Sequence, residues 1–113
     1  NFSILTTATQ TYDLQSGQTD VLGRSLVLTK LKLVYIELTA ANTGDIWFGP
    51  QGQSNAVELW FDGVGSAARQ RIRQHFLYSD PVGYTIDATH KVIAITNSTL
   101  ATVTGKIVLG GVA

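Results

Sequence analysis

The 113-residue chain has no cysteine and no methionine, two prolines, two histidines and only 14% charged residues. Each scarcity removes a class of explanation. Without cysteine there is neither a disulfide framework nor a thiolate metal site, although the absence is silent about compartment. His75 and His90 are too few for a histidine-rich metal centre, and a zinc site would need carboxylates brought in from distant loops. No Gly-x-Ser-x-Gly elbow surrounds any serine, so no nucleophilic triad is visible. The acids are scattered singly, and Gly44-Asp45 and Asp62-Gly63 read as turn chemistry, not as paired carboxylates. The chain therefore reads as a non-enzyme, with no catalytic residue, no metal and no cofactor expected.

Net charge is zero, from 8 basic and 8 acidic residues, which argues against a nucleic-acid or membrane-surface partner. No apolar run is long enough for a transmembrane helix, and no leader is visible. The chain opens at Asn1 and lacks Met, which leaves open whether its start is processed. With charge well below the usual quarter of residues, most of the exterior must be Thr, Ser, Gln, Asn and Gly. Such a surface costs little to desolvate and is poorly protected against association. Association with other protein subunits is the expectation; a monomer in a polar, uncharged coat is the competing one.

What is present is a period of two. Thr, Val, Ile and aromatic residues alternate with polar ones in short runs separated by turn signals, as strands require. At 12.2 kDa the chain would fold to roughly 6,000 Å² of surface, against about 17,700 Å² extended, enough for one core. The pattern predicts an all-β chain, a two-sheet antiparallel β-sandwich or jelly roll of about 7–9 short strands over residues 1–113. Residues 2–14 are polar in the middle on both faces and read as an N-terminal arm or edge strand. Residues 25–39 are too long for one strand and should split near Lys30, with Val34, Ile36 and Leu38 on one face and Leu33, Tyr35 and Glu37 on the other. "IWFG" and "AVELWFDG" are expected strands, and a Pro-Gly turn is expected at 81–83. "LKLVYIELTAANTGDIWFG" and "HKVIAITNSTLATVTGKIVLGG" share a layout that fits two similar hairpins, or chance. The sequons at Asn1 and Asn97 are too short to carry weight.

Two features stand out. Trp47-Phe48 and Trp60-Phe61 are adjacent aromatic pairs, and in a strand each pair sends one ring to each side of the sheet. The outer ring needs a covering loop, a neighbouring subunit or a sugar; Asn42 and Asp45 nearby would supply hydrogen bonds to a glycan. The stretch "AARQRIRQHF" sets Arg69, Arg71 and Arg73 at every second position. On a strand they share a face about 6.8 Å apart and repel unless an acid lies opposite. That acid could come from the same chain, with Glu37, Glu58 and Asp87 as candidates, or from another subunit, for which planar guanidinium forks are suited. Nucleic acid is the weakest partner, since three phosphate contacts give a salt slope of only about −2.7. In a helix Arg71 would leave the shared face.

The polar arm "LTTATQTYDL", the closing "GKIVLGGVA" and the cysteine-free, Thr- and Gly-rich, weakly charged composition together resemble the small virion structural proteins of tailed bacteriophages, the cement, decoration and accessory proteins. The resemblance covers most of the chain in style and transfers no residues. It implies a module that oligomerises and binds a protein lattice, with itself or a major capsid protein as partner and the virion as its location. On that expectation Arg69, Arg71 and Arg73 meet acids of a neighbour, and Phe2 and Ile4 of the arm add a strand to it. The alternative is a secreted or extracellular carbohydrate-binding module using Trp47 or Trp60.

Overall fold

Ten strands and no helix form among the described residues of the computed structural model, which are 2–4, 8–19, 22–39, 45–61, 63–65, 67–97 and 102–113. The strands are β1 (Phe2–Ile4), β2 (Thr9–Asp13), β3 (Gln18–Thr19), β4 (Ser25–Leu26), β5 (Lys30–Leu38), β6 (Ile46–Phe48), β7 (Gln70–Ile72), β8 (His75–Thr85), β9 (Val92–Thr96) and β10 (Val103–Val112). Eight of them make two antiparallel four-stranded sheets, ordered β1-β10-β5-β8 and β2-β9-β6-β7, and β3 and β4 form a small separate hairpin.

The order has a simple rule. β1 pairs with β10, β2 with β9, β5 with β8, and β6 with β7, as in one long hairpin centred on residues 49–69. Contacts β5–β10 and β6–β9 then close that hairpin on itself into two layers. A folded-over ribbon of eight strands in two sheets is the jelly-roll arrangement of the β-sandwich.

Alternation explains which residues lie between the layers. Val34, Ile36 and Leu38 of β5, Val103 of β10, Ile46 and Phe48 of β6, Ile72 of β7 and Ile93 and Ile95 of β9 are all buried in one core. Burying each such side chain is worth about 1.5–3 kcal/mol relative to exposure. The accessible surface is 6407 Å², close to what the mass requires of a compact chain. Asn97, fully buried just after β9, donates its Nδ2–H to the Ile4 carbonyl at 3.0 Å, while its backbone N–H bonds Ala8 at 2.9 Å. One residue, through its side chain and its backbone, thus ties the end of β1 to the start of β2 where the chain changes sheets.

Several expectations are met and several are corrected. The split before Lys30 is present, and the described part of 66–76, residues 67–76, contains strand and no helix. The 2–14 segment is two edge strands, one in each sheet, and both are paired within the chain. Residues 57–61 are not a strand: Ala56 makes a single bridge to Val92, Phe61 N–H closes a turn on Glu58, and Asn55 and Leu59 have positive φ. Pro81-Gly83 does not end a strand. Those residues form an irregularity within β8 opposite the register shift between Leu31 and Leu33, which a strand at a sheet edge can accommodate because its outer N–H groups have no ladder partner to lose. The two look-alike segments are not hairpins either, since β5 and β6 lie in different sheets, as do β9 and β10. Each is an arch across the sandwich.

Candidate functional site

Three places on the molecule concentrate chemistry. The first is the outer face of the β1-β10-β5-β8 sheet. Residues that alternate with the buried ones on β5 point outward, and register aligns them with outward residues of both neighbours. Val108, Tyr35 and Leu77 form one row across β10, β5 and β8. Leu77 is 61% exposed and Val108 43%. The next row on one side is Gly110, Leu33 and Ser79; on the other it is Lys106, Glu37 and His75. The Tyr35 hydroxyl donates to Glu37 Oε2 at 2.5 Å, and Lys106 Nζ lies 4.0 Å from Glu37 Oε1. Donation to Glu37, with smaller contributions from desolvation and the carboxylate's charge, raises the Tyr35 phenol above its usual range. An apolar row is thus bordered by a hydrogen-bonded, charged one. The only sequence signal for it was that β5 is apolar on both faces; the partners Leu77 and Val108 lie too far along the chain to be found by periodicity.

The second place is the arginine row. Trp47 of β6 stands directly across from Arg71 of β7. Arg71 Nε donates to Asp45 Oδ2 at 2.6 Å, and Arg73 Nε lies 3.8 Å from the same oxygen. The Arg69 guanidinium sits 4.0 Å above the Trp47 ring and that of Arg71 5.7 Å from it. The balancing acid is therefore Asp45. Glu37 is engaged by Tyr35 and Lys106, and Glu58 and Asp87 flank His90 at 3.5 and 3.1 Å. Hydrogen bonds from the Thr89 backbone, then from the His90 and Thr89 side chains, hold the Asp87 carboxyl below its usual range. The row is also not continuous, because a bend at residues 73–74 separates β7 from β8. Of the first aromatic pair, Phe48 is the ring that fills the core and Trp47 the one that faces outward, its ring covered by arginine. Asn42 lies outside the described residues. Ile4 is buried in the core, and Phe2 lies in β1 opposite Gly105.

The third place is the open edge of the sandwich between β7 and β8. The long 49–69 connection folds back there and inserts Trp60 and Phe61 between the sheets. The two rings stack at 4.7 Å, and Trp60 touches Phe48, Phe76 and Tyr78 at centroid distances of 6.3, 5.8 and 5.2 Å. Trp60 stays 48% exposed. Beside it lies a groove of about 420 Å³, and Trp60, Phe61, Gly65, Ala67, Ala68, Arg69 and Gln70 are among its lining residues. Among the described residues no group of three or more His, Asp or Glu converges as metal ligands would. Compared with known proteins, the chain matches no family model, no curated protein and no solved structure.

Proposed function

We propose that this chain is a non-enzymatic structural protein of a virion, a cement, decoration or accessory subunit acting through contacts with other protein subunits, its own copies or a major capsid protein. The observation that carries the reading is the exposed row Val108–Tyr35–Leu77 with its charged border, since an apolar centre within a polar rim is the anatomy of protein interfaces. The jelly roll is an architecture that viral capsid domains share with lectins and cupins, so the fold is compatible with the reading without selecting it. The sparse charge of the chain leaves few ions to desolvate on contact.

The arginine row contributes less to this reading than its sequence implies. Arg71 and Arg73 already face Asp45, so a partner's acid would compete with an internal one. Leu77→Lys and Val108→Lys are therefore the informative variants: both positions are exposed, so the fold should persist. Light scattering of the wild type should show concentration-dependent assembly, abolished in both variants while circular dichroism is unchanged. A wild type that stays monomeric at high concentration, alone and with its candidate shell, sinks the reading.

A further inference from the structure

We infer that the first half of β8, residues 75–79, is the contact through which two copies of this chain pair, strand edge to strand edge, about a two-fold axis at Leu77. The contact runs along the rim of the sheet and does not depend on association through its outer face.

Hydrogen-bond parity leaves this rim open. Leu38 N–H donates to the Gln74 carbonyl at 2.7 Å, and Thr39 N–H to the Thr104 carbonyl at 3.0 Å. Bonded and non-bonded pairs alternate along an antiparallel ladder. Even-numbered residues of β5 therefore bond β8 and odd-numbered ones bond β10, so Phe76 and Tyr78 turn their backbone groups to Ile36 and Val34. The N–H and C=O groups of His75, Leu77 and Ser79 turn the other way, where β8 has no neighbouring strand. Among the described residues no other hydrogen bond engages them.

An open edge is a template for another strand, and proteins blunt it with proline, charge or a bulge. β8 is blunted only in its second half. There Pro81 has no N–H to offer, Val82 N–H is taken by Asp80 Oδ1 at 3.0 Å, and the register with β5 shifts. Residues 75–79 include no Lys, Arg, Asp, Glu or Pro. Uncovered apolar surface flanks them on both faces. Leu77 is 61% exposed on the outside, and Trp60, 48% exposed, rests on Phe76 and Tyr78 inside.

A second copy fits this edge because the stretch is complementary to itself. With Leu77 opposite Leu77, His75 meets Ser79 and Phe76 meets Tyr78. No like charges then oppose, and each outward N–H finds a carbonyl. The row Val108–Tyr35–Leu77 runs on into its own copy, and the two Trp60 rings approach each other beside the axis.

Amide hydrogen exchange by NMR, across a concentration series with mass read by sedimentation, tests this on the intact chain. The Phe76 and Tyr78 amides should be protected at every concentration. Those of Leu77 and Ser79 should exchange freely in the single chain and gain protection as the mass doubles. The deciding variant is Ser79→Pro, which removes an outward N–H that the chain's own ladder does not use and leaves the outer row intact. It should weaken pairing at least about tenfold, since a hydrogen bond is lost on each side of the axis. Should that variant fail to fold by circular dichroism, the exchange pattern of the wild type still decides. Val108→Lys, two strands in from the edge, should block growth beyond the pair and leave the pair itself, which separates a failed edge from a failed face. The inference is overturned by a chain that stays single at millimolar concentration, by doubling without protection of Leu77 and Ser79, or by unchanged pairing of a folded Ser79→Pro. Protection that appears only when a different protein is added assigns the edge to that protein and overturns it too.

Discussion

Asn97 shows how much one residue can hold. It is fully buried, its Nδ2–H satisfies the Ile4 carbonyl and its backbone N–H satisfies Ala8. Removing the amide leaves a buried carbonyl without its donor, which costs about 1–3 kcal/mol. Asn97→Ala should therefore lower the stability read from urea unfolding by about 2 kcal/mol with little change in the slope. The same burial means that the Asn97 sequon is inaccessible once the chain has folded. Sequence shows an Asn followed by Ser and Thr, and that motif has the same appearance on a loop as in a core. The arginines teach the converse. Their alternation is plain in the sequence, but the acid that faces two of them is 26 residues from Arg71. Local spacing carries no information about a pair made across a sheet.

At the scale of the element, strands were legible where a short run rich in Val, Ile and aromatic residues is bounded by turn signals, as in β9 and the second half of the 25–39 run. They were misread where a short apolar run lies in a turn. "AVELWFDG" has the composition of a strand, but Asn55 and Leu59 adopt positive φ, and the aromatic pair is spent on plugging the sandwich edge. The exposed row on the outer sheet depends on β10 lying between β1 and β5 with a bulge at Gly110-Gly111. A Cβ on Gly111 would overlap the Lys30 carbonyl oxygen, whereas one on Gly65 would meet nothing within 4 Å. Gly111→Ala should destabilise by about 1–3 kcal/mol, the usual cost of overpacking. Gly65→Ala should stay within about 0.5 kcal/mol. Equal effects in chemical denaturation would mean that the bulge is not under the packing constraint described here.

On the scale of the whole molecule, the two sheets present different exteriors. One carries Val108, Tyr35 and Leu77 in a row; the other carries Trp47 under arginine, with Thr96 and Thr9 continuing its row toward the far edge. If association uses the first exterior, it is driven by apolar burial and not by attraction between charges. It should then persist from low to high salt and strengthen in sulfate, because excluded salts favour burial while screening removes surface attraction. Sedimentation across a salt series reads this directly, and dissociation by moderate salt would shift the interface to the arginine side.

The amino-acid sequence determined that the chain is all-β, because alternation at period two reflects only which side of a strand meets water. It also determined the size of the core and the scarcity of charge, which are sums over residues. The strand order, the pairing of Asp45 with Arg71, the row Val108–Tyr35–Leu77 and the groove at Trp60 were decided by tertiary structure alone. Each joins residues from distant parts of the ribbon, and only the folding of that ribbon onto itself sets which of them become neighbours.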